Sequence, residues 1–237
     1  PNAQRAIQNI VNDFRLGIHS FTIIGTYGTG KSSFLLALES DFEKGKRHRK
    51  LVDPKNIFKS SDFVILNIVG DYTDLSSLLS KKLNIEGNNN SVIDELDIYY
   101  NGLKKEKKSL IIVIDEFGKI LEHAAKNNPE RELYFTQKLA EYINVPSREI
   151  LLLTTLHQNF NSYAKSLTEN QVNEWTKVKG RFKEITFVEP VEQILFLASK
   201  QFPKNEDLVG NSNFDQLFRL ARETNFISKD YSEETAR

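Results

Sequence analysis

The 237-residue chain has no cysteine, no methionine and a single tryptophan. Without cysteine there can be no disulfide, no thiolate metal site and no cysteine nucleophile, and a cytoplasmic, reducing compartment is the natural expectation. Long apolar runs are also missing. The longest, at 110–114 and 150–153, fall far short of the ~20 residues that span a bilayer, and no charged-then-apolar leader is present, so no membrane association is expected. Neither sign of charge is in excess, since Lys+Arg and Asp+Glu number 32 each. This balance excludes a basic nucleic-acid coat or an acidic solvating tail as the main identity, while leaving room for a local basic patch. His19, His48, His123 and His157 stand far apart, with no metal-ligand spacing. The lack of methionine, even at position 1, points to an excised stretch of a longer protein.

What is present is ordinary globular composition, and the length suits one α/β domain with a small appendage. Ala3, Ile7, Ile10, Val11 and Phe14 recur at helical intervals up to Gly17. A short apolar strand at 20–24, a glycine-rich turn and a helix from about 31 to 43 follow. Further strands are predicted at 62–69, 110–114, 149–155 and 185–188, with helices through Leu75 to Leu83, over about 92–107 and over 129–142. The strands are apolar throughout rather than alternating, which suits a parallel sheet covered on both faces, a three-layer α/β sandwich. From Val191 the pattern turns helical, through Ile194, Leu195 and Leu197 and then Phe214, Leu217, Phe218 and Leu220. The expected organisation is a core over 1–190 and a small helical lid over 191–237.

Gly25-Thr26-Tyr27-Gly28-Thr29-Gly30-Lys31-Ser32, with Ser33 behind it, matches G-x-x-x-x-G-K-[ST] between an apolar strand and a helix. Chance alone would set the four fixed positions in about 1% of chains this long, before the strand and helix are required. The glycines let the backbone turn so that successive amides face phosphate oxygens, and the helix N-terminus adds partial positive charge. Lys31 is placed to bridge the β- and γ-phosphates, and the Ser32 hydroxyl to ligate Mg²⁺. The motif and its strand–helix context predict a phosphate-binding P-loop.

The strand at 110–114 runs straight into Asp115 and Glu116. A carboxylate at the carboxyl end of a buried parallel strand lies where such sheets bind ligands, so Asp115 fits the Mg²⁺ shell. Glu116 fits the general base for an attacking water, which favours hydrolysis over storage. No Asn-Lys-x-Asp guanine-reading tetrapeptide occurs, so ATP is favoured over GTP.

These residues resemble the P-loop ATPases of the additional-strand, catalytic-glutamate class, and more narrowly the AAA+ and STAND-like ATPases. The resemblance implies a polar γ-phosphate sensor ending the fourth strand. Thr155 is the first choice, with Thr154 and His157 as rivals. It also implies an arginine finger before the fifth strand, acting on a neighbouring subunit's ATP, and Arg181 in Gly180-Arg-Phe matches, with Gly where the family has Ser. A lid arginine would be Arg219 or Arg222. An oligomer assembled through the ATP site follows from the same likeness.

Two basic runs, KGKRHRK from Lys44 to Lys50 and KKEKK from Lys104 to Lys108, offer contact with DNA or RNA, although solvated helix ends and loops account for such runs as well. The phrases His157-Gln-Asn-Phe and Glu174-Trp-Thr-Lys-Val-Lys-Gly-Arg-Phe look like those of large bacterial ATPases in restriction and anti-phage islands. The leading expectation is therefore an ATP-hydrolysing module that drives or switches a larger assembly. The alternatives are a slow-turnover nucleotide switch and a P-loop small-molecule kinase, the latter disfavoured by Glu116 beside Asp115.

Overall fold

Strands and helices alternate as the hydrophobic pattern predicts. The computed structural model describes residues 2–43, 51–85, 91–165, 167–187 and 212–224. Helix α1 (Asn2–Arg15) leads into β1 (Ser20–Ile24), and α2 (Lys31–Phe42) follows the glycine-rich turn. Next come β2 (Asp62–Val69), α3 (Leu75–Leu83) and α4 (Val92–Lys105), whose start is fixed by a reciprocal cap between Ser91 and Asp94. Strand β3 (Lys108–Asp115) is followed by α5 (Phe117–Asn127), α6 (Pro129–Ile143), β4 (Ile150–Leu156), α7 (Glu169–Lys179) and β5 (Lys183–Thr186).

The five strands form one parallel sheet in the order β2-β3-β4-β1-β5. Strand β4 thus lies between the strand that feeds the P-loop and the strand that ends in Asp115. Alternate residues of each central strand face opposite cores. Leu110, Ile112 and Ile114 join Leu79, Leu96, Ile120, Leu139 and Trp175 on one side. Ile111 and Val113 join Ile10, Leu35, Leu38 and Phe21 on the other. A strand buried on both faces needs an apolar residue at every position, which is why the runs are continuous. Each such side chain removed from water contributes about 1.5–3 kcal/mol.

The chain divides into two compact units, Pro1–Val188 and Glu189–Arg237. All five strands belong to the first. In the second, the described residues form α8 (Ser212–Glu223), where the Arg222 guanidinium lies 5.7 Å from the Phe218 ring centroid. Ile194, Leu195 and Leu197, expected in a lid helix, lie outside the described residues.

Four elements differ from the sequence reading. Strand β5 starts two residues earlier than expected, because its register is set by Phe21 and Ile23 of β1, opposite Lys183 and Ile185, rather than by its own apolar residues. Helices α5 and α7 were not expected at all. Helix α4 ends at Lys105, and Lys107 takes a left-handed conformation, φ 59°, in the turn to β3.

Candidate functional site

The P-loop, 25–32, leaves the carboxyl end of β1 and closes on the first turn of α2. Gly30 is its last hinge: φ 87° is open to glycine and costly to other residues, and it lets the Phe34 amide bond back to the Gly30 carbonyl at 2.8 Å. A Cβ built on Gly28 or Gly30 meets nothing within 4 Å, so the loop backbone faces open space. Lys31 Nζ donates to the carbonyls of Gly25 and Thr26 at 2.6 and 2.8 Å. Partial burial lowers its pKa from the usual lysine value, and Asp115 acts in the opposite direction.

Asp115, Glu116 and Thr155 form one hydrogen-bonded unit across β3 and β4. Thr155 Oγ1 donates to Asp115 Oδ1 at 2.5 Å and accepts the Glu116 amide at 2.9 Å; that amide also reaches Asp115 Oδ1 at 3.0 Å. The two bonds matter because Glu116 sits in the left-handed region, φ 56°, ψ 35°, which costs a non-glycine residue about 1–2 kcal/mol. Glu116 caps α5 from that position, and its carboxylate forms an ion pair with Lys119 one turn on. Gly70, beyond the end of β2, supports the same corner: its amide donates to the Asp115 carbonyl at 2.7 Å.

A cleft of about 310 Å³ gathers these groups. Lys31, Ser32, Ser33, Asp115, Glu116 and Thr155 line it, with Tyr27, Lys119 and His157 at its borders. Tyr27 stacks on His157, ring centroids 4.9 Å apart, and His157 Nδ1 lies 3.0 Å from the Tyr163 hydroxyl. Burial pushes the Tyr163 phenol well above its usual pKa.

Of the three residues weighed at the end of the fourth strand, Thr155 and His157 line the cleft, whereas Thr154 is turned into the sheet. Thr154 Oγ1 lies 2.9 Å from Thr22 Oγ1 and donates to the Phe21 carbonyl at 3.2 Å. Arg181 stands apart from the cleft. It precedes β5 at the amino end of the sheet, about 16 Å of strand rise from the P-loop level, and its guanidinium pairs with Glu141 at 3.0 Å. Arg219 and Arg222 belong to the second unit. The run from Lys44 to Lys50 lies outside the described residues; Lys104 and Lys108 lie at the amino end of the sheet, away from the cleft. Trp175 is a core residue, its indole donating to the Phe160 carbonyl at 3.0 Å.

The sequence reading did not include Lys119, Gly70 or Tyr163. Lys119 was legible as the i+3 partner of Glu116 once a helix was placed there. The other two act through tertiary contacts that no local pattern carries.

The donor set fits a magnesium nucleotide. Both short bonds to Asp115 fall on Oδ1, and among the described residues neither Asp115 Oδ2 nor Ser32 Oγ makes a hydrogen bond, so each keeps a free oxygen beside the Lys31 ammonium. Among the described residues no cluster of three His, Asp or Glu offers an alternative metal site, and no helix is long and apolar enough to cross a membrane.

Topology and motif together define the P-loop NTPase sandwich. Among solved structures, the Aeropyrum pernix ORC2 protein in its ADPNP-ADP complexes matches with a TM-score of 0.54 at 15% identity, over 84% of this chain and 50% of that one. Cdc6p from Pyrobaculum aerophilum matches at 0.43 and 18% identity over 82% and 48% of the two chains, and C. elegans PCH-2 at 0.43 and 15% over 97% and 50%. The chain spans about half the length of these proteins. No protein-family model matches the sequence, and no curated protein does. At this identity the likeness to the ORC2 protein shows the fold alone.

Proposed function

We propose that this chain is the ATP-binding and ATP-hydrolysing module of a larger, oligomeric assembly. One observation carries the reading: Lys31, Ser32, Asp115, Glu116 and Thr155, from three separate strand ends, converge on one cleft. The loop amides and Lys31 hold the phosphate tail, and Thr155 orients Asp115 and the Glu116 backbone. Ser32 and Asp115 would hold Mg²⁺, which would supply charge neutralisation to the phosphate tail. Glu116 takes the proton of a water whose oxygen attacks the γ-phosphorus, and ADP leaves in line. Among the described residues the cleft is lined by Lys31 and Lys119 but by no arginine, so an arginine finger would have to come from outside it. Arg181, half-exposed, is the residue we assign to a neighbouring copy's site, a role in which it would exchange its Glu141 partner for phosphate.

The setting proposed is a multidomain bacterial defence protein, as the resemblance of the 157–160 and 174–182 phrases implies, and the half-length match to solved chains is in keeping with further domains. A second reading, a slow nucleotide switch, is favoured by the Lys119 ion pair, which engages the Glu116 carboxylate that the base role needs free to meet water.

Equilibrium binding of ATP with Mg²⁺ and phosphate release, measured side by side, test the proposal. Lys31→Ala should lose binding, whereas Glu116→Gln should bind and release phosphate about 10²-fold more slowly. Unchanged binding in the first variant or unchanged release in the second contradicts the assignment. Wild-type binding without release, relieved in Lys119→Ala, selects the switch.

A further inference from the structure

A pocket of about 740 Å³, larger than the P-loop cleft, lies at the other end of the sheet. It opens at the amino ends of β3 and β4, between the last turns of α1 and α4. Phe14, His19 and Tyr100 form a buried floor, and the rim carries Arg15, Lys59, Lys104, Lys107, Lys108 and Arg148. Glu149 is the one carboxylate in the lining, and its oxygens are taken up by the Lys59 and Ser60 amides and the Ser60 and Ser109 hydroxyls.

Two of the six cations are neutralised locally, Lys108 by Glu106 and Arg148 by Asp97. Arg15, Lys59, Lys104 and Lys107 make no ion pair with any described residue, so the concave surface keeps a positive excess over Glu149. Helix dipoles account for part of this, since Arg15 and Lys104 sit in the last turns of α1 and α4. They do not account for Lys59, which precedes β2, whereas Lys107 follows the C-cap of α4. Lys107 occupies a left-handed position, φ 59°, that glycine would fill without strain. The position that ends α4 thus carries a cation at the rim of the cavity where glycine would be free of strain.

We infer that this pocket is a second phosphate site, which takes a ligand carrying two or more adjacent phosphates through their charge alone. Phe14, His19 and Tyr100 are all buried, so the pocket offers no exposed ring on which a base could stack. A short polyphosphate and the sugar-phosphate backbone of a nucleic acid share the recognised chemistry. The site is independent of the ATP reading, because it shares no residue with the P-loop cleft.

The test uses the full chain, with a labelled oligodeoxynucleotide and labelled tripolyphosphate as separate probes, at about 50 and about 200 mM salt. A charge-reversed variant, Lys59→Glu with Lys104→Glu and Lys107→Glu, should bind at least one probe about tenfold more weakly at low salt, with a shallower salt slope and unchanged ATP affinity. Loss for the oligonucleotide assigns a nucleic-acid backbone; loss for tripolyphosphate alone assigns a free polyphosphate. Lys107→Gly guards against misfolding of the triple variant. It should raise the melting temperature, by relieving the left-handed strain, and still weaken the same probe several-fold. The inference is overturned if the variants bind both probes as the wild type does, or if the wild type binds neither beyond what the P-loop accounts for in Lys31→Ala.

Discussion

Thr155 and Asp115 are joined by a 2.5 Å hydrogen bond from the Thr155 hydroxyl to Oδ1, and the same hydroxyl accepts the amide of Glu116 at 2.9 Å. One side chain on β4 therefore fixes both Asp115, the proposed metal carboxylate, and the strained backbone of Glu116, the proposed base just beyond β3. Thr155→Val keeps the shape and removes both bonds. The loss of a hydrogen bond to a charged group, about 1.5–3 kcal/mol, predicts turnover lower by at least tenfold with ATP affinity within a few-fold of the parent. Single-turnover phosphate release separates the two; parental turnover would leave Thr155 a mere packing residue.

Gly70 touches the same corner from β2. A methyl group there would lie 2.3 Å from the Glu116 carbonyl oxygen and 2.8 Å from its carbon, and backbone atoms cannot swing aside as a flexible side chain would. Gly70→Ala should destabilise the fold by about 1–3 kcal/mol and cut turnover more than binding, since it displaces Glu116 and leaves the P-loop in place. Denaturant midpoints and phosphate release check both parts. A variant with parental values of each would show that the corner yields freely.

How much of this was legible beforehand depends on what is local. The strand, glycine turn and helix around Lys31 announce themselves within one stretch, and Asp115-Glu116 ends an apolar run that only a doubly covered strand needs. Strand order is not local: β1 pairs with β4 and β5 across more than a hundred residues, so the position of β4 beside both motifs waits for the fold. The choice between Thr154 and Thr155 is the same problem on a smaller scale, because neighbours on a strand face opposite sides. Strand β5 was misplaced because Lys183 and Thr186, at the sheet edge, have no apolar signature. Helix α5 was missed because it starts on Glu116 without a side-chain cap, whereas α7 does carry a legible signal, the reciprocal cap of Thr168 and Gln171.

His19 makes the fold pH-dependent. Its ring is buried, stacked on Phe14 with centroids 3.9 Å apart, and Nδ1 lies 3.1 Å from the Ile143 carbonyl, to which the Nδ1–H tautomer donates. Burial lowers its pKa from the usual 6.5, against the opposing pull of backbone bonds to Ile143 and Phe14. The unfolded chain thus binds this proton at a higher pH than the folded one. The contribution to stability is complete above about pH 6.5 and is lost as the pH falls through that value. Urea midpoints should drop between about pH 7.5 and pH 5.5 in the wild type and more shallowly in His19→Gln. Equal slopes would remove His19 from the titration.

The central claim, an ATPase whose site is completed by Arg181 of a second copy, is tested most directly by phosphate release per subunit as a function of protein concentration, for the wild type and Arg181→Ala. Among the described residues the cis cleft holds no arginine, and a finger supplied by a partner can be worth about 10³-fold in rate. The account predicts a wild-type rate per subunit that climbs with concentration by tenfold or more, while Arg181→Ala binds ATP equally well and stays at the low-concentration rate. A per-subunit rate that is the same at every concentration, and the same in both proteins, would contradict it.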